Sequence, residues 1–281
     1  MRRPHKRNIR AHQCRTGFSA LYCPFPALSP AKTPEFPRNF TKSGIVGYTS
    51  KDTAAGKWLI LGAQFETTDG TMLINKLVSG LTGVNYDDGG VWKTTAPQIQ
   101  VPKATGYNIY YYLNDAWDTV NNKEVAGWAD SYGNLAASSA FTPGVAVWLK
   151  SVQIDATASV SGAVPSTDYA DVSCPANFAL RANIYPKAVA INSAAMTSSD
   201  ITGVNYDEGG AWKATAPQLQ VPKATGYNIY YYLNDAWDTV NNKEVAGWAD
   251  SYGNLASGTI TAAQGFWTKG VSTPFTLRFT K

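Results

Sequence analysis

Histidine is almost missing from this chain: its only two, His5 and His12, lie within the first 42 residues. Without imidazole, residues 43–281 hold no Ser–His–Asp or Cys–His nucleophile and no His-ligated zinc. They also lack the side chain that most often serves as a general base near neutral pH. Cysteine is as scarce. Cys14 and Cys23 share the N-terminal segment, and Cys174 stands alone, with Ala54 at the corresponding place in the first half. No disulfide framework or CxxC site can be built from these, and Cys174 is expected to be a small buried side chain. No phosphate-binding glycine loop or dinucleotide fingerprint is present. No apolar run approaches the ~18 residues of a membrane helix, so no membrane span is expected.

Charge is sparse and uneven. Residues 1–42 carry nine Lys or Arg against Glu35 alone, so the rest of the chain, despite an overall +4, has a net charge of −4. Nucleic-acid binding calls for positive charge on a structured face. Here it sits on a Pro-rich tail, and no nucleic-acid partner is expected. The apolar stretch Phe18–Leu28 is broken by Pro24 and Pro26, unlike the uninterrupted core of a secretory signal. Residues 1–42 are therefore expected to be disordered, or to precede the true translation start.

What the chain does contain is aromatic residues and a repeat. Nine Trp and sixteen Tyr supply bulky core material. Shifted by 120 positions, Leu81–Ala136 returns as Ile201–Ala256 with five changes in 56, and none from Gln100 onward. Upstream the copies diverge: Lys51–Gly80 and Asp171–Asp200 align without a gap yet share only Ser79 with Ser199. Some apolar and aromatic positions still correspond, namely Trp58 with Phe178, Ile60 with Leu180 and Phe65 with Tyr185. Weak echoes flank the modules, Ser43-Gly-Ile-Val with Ser161-Gly-Ala-Val and Val147-Trp-Leu-Lys with Phe266-Trp-Thr-Lys. This pattern suggests an old duplication whose central block was later copied afresh.

Short runs rich in aromatic and branched residues, separated by Gly, Pro, Asn and Asp, predict strands near 45–51, 58–65, 98–101, 107–113, 124–128, 144–151 and 154–160. Only Met72–Val78 suits a short helix. Alternation in 107–114 sets Tyr107, Ile109, Tyr111 and Leu113 on one face, expected to meet the core, and Asn108, Tyr110, Tyr112 and Asn114 on a wet one. The expected fold is all-β: two tandem β-sandwich or barrel-like modules of about 120 residues, at 43–163 and 164–281, behind the basic tail 1–42.

The order Ile45-Val-Gly-Tyr, Trp58–Phe65, Gly127-Trp-Ala-Asp-Ser-Tyr-Gly-Asn, Pro143-Gly-Val-Ala-Val-Trp and a closing strand resembles tandem β-modules of secreted bacterial cell-surface proteins. The resemblance spans residues 43–281 loosely and implies export to the cell surface. The second copy departs from it, with Val164-Pro-Ser-Thr for the Val-Gly-Tyr strand and Ala263-Gln-Gly-Phe-Trp for the Pro-Gly one.

Three functional classes are compatible with these residues. The first is a non-catalytic extracellular β-repeat protein with a structural or adhesive role, partnered by polysaccharide or other surface proteins. The second is a pair of carbohydrate-binding modules, using Trp117, Trp128 and Tyr132 with their copies Trp237, Trp248 and Tyr252. Exposed rings there would stack on sugars, with two linked sites adding avidity. The third is a carboxylate glycoside hydrolase, requiring two acids facing each other across a cleft. No cofactor is required. Calcium is compatible with Asp115, Asp118 and Glu124, and with Asp235, Asp238 and Glu244, although their spacing is not that of an EF-hand. Asp87-Asp88-Gly-Gly reads as a turn, and Trp58, Trp92 and Trp148 as packing residues.

Overall fold

The computed structural model describes residues 46–281 except 63, 66–72, 80, 104, 137–143 and 152–155. By contacts the chain divides into Met1–Lys42 and Ser43–Lys281. The expected disorder of the tail lies outside the described residues. No helix among the described residues is long and apolar enough to cross a membrane.

The regular secondary structure of the described residues is almost all strand. The first half runs β1 (Val46–Thr53), β2 (Trp58–Gly62), α1 (Ile74–Leu77), β3 (Val78–Ser79), α2 (Trp92–Thr95), β4 (Gln98–Pro102), β5 (Tyr107–Asp118), β6 (Lys123–Ala129), β7 (Ala146–Lys150) and β8 (Ala156–Ala163). A three-stranded sheet, β1-β8-β3, faces a five-stranded one, β2-β7-β4-β5-β6. Alternate residues of each meet in one core: Val78 and Val160 from the small sheet, Leu61, Ile99, Trp128, Val147 and Leu149 from the large one. That is a β-sandwich.

The second half repeats the plan. It comprises β9 (Tyr169–Cys174), β10 (Ala179–Ala182), β11 (Val189–Ala190), β12 (Met196–Ser199), α3 (Trp212–Thr215), β13 (Gln218–Pro222), β14 (Tyr227–Asp238), β15 (Lys243–Ala249), β16 (Thr259–Ile260), β17 (Gly265–Lys269) and β18 (Phe275–Thr280). Its sheets are β12-β18-β9 and β10-β17-β13-β14-β15, with β11 and β16 as a further pair. Cys174 lies fully buried in this core, and burial pushes its thiol up to about 11, leaving an inert packing residue.

Pairing sets the copies in register and corrects the Ser161 echo. Thr53 opposes Ala156 in the first module, and Cys174 opposes Phe275 in the second. The strand equivalent to β1 is thus β9. Ser161-Gly-Ala belongs to β8 and closes the first module, with Ser161 opposite Tyr48.

The faces of β5 differ from the simple alternation. Tyr110 and Tyr112 pack on the sandwich core, whereas Tyr107 and Ile109 are exposed. Tyr111 and Leu113 point the other way, into a second cluster built on Trp92, Ala96, Ala116 and Ala129. The reason is a third layer. The segment carrying α2 folds over the outside of β5 and β6, so both faces of the strand are covered there. A β-bulge between Leu113 and Ala116 makes this possible. Its Asn114 amide donates to the Gly83 carbonyl, and its Asp115 carboxylate accepts from the Tyr86 N–H at 2.8 Å.

The gap-free alignment also fails at one position of consequence. The Asn75 side-chain oxygen accepts the Trp128 N–H, at 2.6 Å, and its amide donates to the carbonyls of Trp128 and Ala136. In the second module Asn192 makes the same three bonds to Trp248 and Ala256. Asn75 and Asn192 are 117 positions apart, whereas the rest of the repeat is offset by 120. One amide side chain here substitutes for a strand edge, and each backbone group it satisfies would cost about 1–3 kcal/mol if left buried without a partner. Gly127 leaves room for it, since a Cβ there would come within 2.7 Å of the Asn75 Oδ1.

Candidate binding face at the module junction

The sequence-predicted aromatic sites do not form a common surface. Trp128 and Trp248 are 0% and 2% exposed, a correction to the expectation that they stack on a ligand. Each ring stands edge-on to a core tyrosine, Tyr112 or Tyr232. The indole N–H of Trp128 donates to the Val78 carbonyl and that of Trp248 to the Ser198 hydroxyl. Trp117 is half-buried and Trp237 exposed. Their backbones carry the parallel bridges to Asn134 and Asn254. Tyr132 and Tyr252 project from exposed turns. Those turns are organised by Asp130 and Asp250, each accepting two backbone N–H groups.

The candidate metal ligands have separate duties. Asp115 and Asp235 hold the Tyr86 and Tyr206 N–H groups at the bulges. Asp118 and Asp238 close the β5–β6 and β14–β15 hairpins, each accepting two backbone N–H groups and an asparagine amide. Those bonds, the Asn121 and Asn241 amides foremost, hold both carboxyls below their ordinary range. This hairpin stabilisation is complete above the usual carboxylate range and is lost as pH falls through the depressed values. Glu124 and Glu244 are exposed and opposite Trp117 and Trp237. Among the described residues, no group of three His, Cys, Asp or Glu gathers in a way that could hold a metal. Asp87 binds the N–H groups of Val91 and Trp92 at the start of α2, which is the turn role expected of it.

A different set of aromatic residues does come together. The two large sheets meet edge to edge through paired contacts. Gly62 N–H donates to the Ala263 carbonyl and Ala182 N–H to the Gly144 carbonyl, at 3.0 and 2.8 Å. Isolated bridges Leu61–Gln264 and Val145–Arg181 flank them. Exchanging the modules turns each contact into the other, so the junction has approximate twofold symmetry. Ala263 takes the place of Gly144 and shares its left-handed backbone, φ 55° against 81°. The departure from Pro-Gly in the second copy thus keeps the conformation, and the Ala263 methyl packs into the first module's core. Ile60, Ala146, Leu180 and Ala182 form the buried floor of the junction.

Above that floor runs a row of four rings. Trp58 and Trp148 lie 5.9 Å apart, Trp148 and Trp267 6.1 Å, and Trp267 and Phe178 6.1 Å. The outer rings stand nearly perpendicular to the inner indoles, at 80° and 87°. Trp58 is 43% and Phe178 51% exposed; Trp148 and Trp267 are half-buried. Trp58 was expected to be a packing residue, and its exposure corrects that. The Lys150 ammonium lies 5.4 Å from the Trp58 ring centre, and that of Lys269 lies 5.3 Å from the Phe178 ring centre. Beside the row, Trp58, Gln100, Tyr107 and Trp148 line an open depression of about 220 Å³. That is below the ~300–1,000 Å³ of pockets for drug-sized ligands, and suits one ring-sized group rather than a whole cofactor.

The sequence held a signal for this row. Trp58 and Phe178 remain aromatic inside the segments where the copies have otherwise diverged, and the Trp-x-Lys of β7 recurs in β17. Comparison with family models, curated protein sequences and solved structures returns no match.

Proposed function

We propose that this chain is a non-catalytic, extracellular or cell-surface β-repeat protein with an adhesive role, and that it works through the aromatic face across its module junction. The observation that carries this reading is the row Trp58–Trp148–Trp267–Phe178, exposed at its two ends and built symmetrically from both copies. Large rings left in water cost stability that burial would recover, and their retention in two diverged copies points to use at a surface. The resemblance to tandem modules of secreted bacterial surface proteins supports the location. Its most recognisable motif, Gly127-Trp-Ala-Asp-Ser-Tyr-Gly-Asn, is explained by folding: a close approach at Gly127, a buried indole and a turn tied by Asp130.

The test is retention of the full chain on immobilised polysaccharides and cell-wall preparations, beside a variant carrying Trp58→Ala and Phe178→Ala. Both rings stand at the outer ends of the row and are about half exposed, so the variant should melt within a few degrees of wild type. Wild type is expected to be retained and the variant released. Equal retention of the two would move the working surface elsewhere. Turnover of any glycoside by the wild-type protein would overturn the non-catalytic reading.

A further inference from the structure

We infer that the ligand of this face is an acidic, uronate-bearing polysaccharide, bound as one chain lying across both modules and recognised along its interior. The inference rests on the reading of the junction as the working surface and adds the chemistry and number of sites.

Charge on this face differs from that of the rest of the body. The folded body has a net charge of −4. Cross-strand pairing nevertheless sets the residues Trp58, Lys150, Gln98 and Tyr111 side by side on this face, with Ile60, Trp148, Gln100 and Ile109 in the next row. In the second module Trp267, Gln220 and Ile229 continue the row from the buried Leu180, beside Lys269, Gln218 and Tyr231. None of these positions is Asp or Glu. Two ammonium groups, one at each end of the ring row, thus lie on a face otherwise made of rings, aliphatics and amides. A polymer carrying carboxylates at intervals complements that arrangement. A protein partner fits it less well, since lysine is depleted at the cores of protein interfaces.

The shape of the face also suits a sugar chain. Sugar rings have an apolar face that stacks on indole and a rim of hydroxyls that needs amide and phenol partners. Trp58, Trp148, Gln100 and Tyr107 bring these kinds of group round one ring-sized depression. Because the rings continue across the junction in steps of about 6 Å, the modules contribute to one extended site rather than two separate ones.

Symmetry favours recognition along the interior of the chain. The approximate twofold exchanges Trp148 with Trp267 and Lys150 with Lys269. A site so related presents equivalent groups in both directions along the row, with Phe178 in the place of Trp58. It can read a repetitive chain from within but gains nothing from a unique chain end.

Native electrophoresis of the full chain through gels containing polygalacturonate or neutral hydroxyethylcellulose tests these points. Polygalacturonate is expected to retard the protein, less so as salt screens the contacts. Replacing both lysines (Lys150→Gln with Lys269→Gln) should weaken binding by about tenfold, the effect expected for roughly two exposed ion pairs. Tyr132→Ala with Tyr252→Ala should change nothing. Titration should give one site per chain, and Trp148→Ala alone or Trp267→Ala alone should each remove most of the affinity. Equal, salt-insensitive retardation by the neutral polymer, lost in the Trp58→Ala and Phe178→Ala variant, would overturn the acidic ligand while leaving the surface reading intact. Two independent sites per chain would overturn the composite site. Retardation that survives removal of Trp58 and Phe178, either by the neutral polymer or by polygalacturonate at salt high enough to screen the basic residues of 1–42, would overturn both readings. So would no retardation by either polymer together with no retention on the immobilised panel.

Discussion

Trp248→Ala is expected to cost about 3–5 kcal/mol, the range for removing a large aromatic from a packed core. The indole is 2% exposed, edge-on to Tyr232 and against Phe275, and its N–H is bonded to Ser198. A cavity would open between the sheets, and the Ser198 hydroxyl would lose its partner. Denaturant unfolding followed by circular dichroism measures the loss, which should appear as a lower midpoint with little change in slope. A loss under ~1 kcal/mol would be the scale of a surface change, and would contradict the placement of this ring in the core. Alanine at Trp128 or Trp248 therefore reports on folding, and cannot serve as a test of ligand contact.

Gly265→Val should have the second large effect, and a more local one. A Cβ at this position would run into the Ile60 Cγ2 and the Ala146 Cβ across the junction, while Gly62 meets the Ala182 Cβ in the same way from the other side, at 2.7 Å. The modules approach this closely because their edges carry glycine where contact is tightest. Overpacking there is expected to cost roughly 1–3 kcal/mol. Amide exchange locates the damage. The N–H groups of Gly62 and Ala182, which cross the junction, should exchange faster, while those of Trp128 and Trp248, held by Asn75 and Asn192, keep their protection. Uniform loss of protection would mean that the modules do not unfold as separable parts. Unchanged protection at Gly62 and Ala182 would mean that they do not meet there.

The all-β architecture was legible because strand periodicity and turn residues are local signals, and the short helix at Ile74–Leu77 fell within its predicted run. Other features depend on contacts that local sequence does not encode. Alternation in β5 shows two faces but not which one meets the core, and here Tyr110 and Tyr112 meet it while the other face is covered only from Tyr111 onward. Trp128 sits between Gly127 and an acidic turn, which resembles a surface loop. Its ring is buried in the sandwich core, and its backbone is held by Asn75, more than fifty residues earlier. The equivalence of Asn75 and Asn192 was hidden because compensating length changes on either side preserve the overall 120-residue offset. The junction was hidden for a different reason. Trp58 and Phe178 were visible as a matched pair, but nothing local shows that two module edges meet and bring the four rings into a row.

Hydroxyl-radical footprinting of the full chain, with and without saturating polygalacturonate, tests the working surface most directly. Trp58, Trp148, Trp267 and Phe178 are expected to become protected together, with Tyr132 and Tyr252 labelled equally in both states. Protection of Tyr132 and Tyr252 with unchanged labelling along the four-ring row would contradict the account, and would return recognition to the duplicated turns.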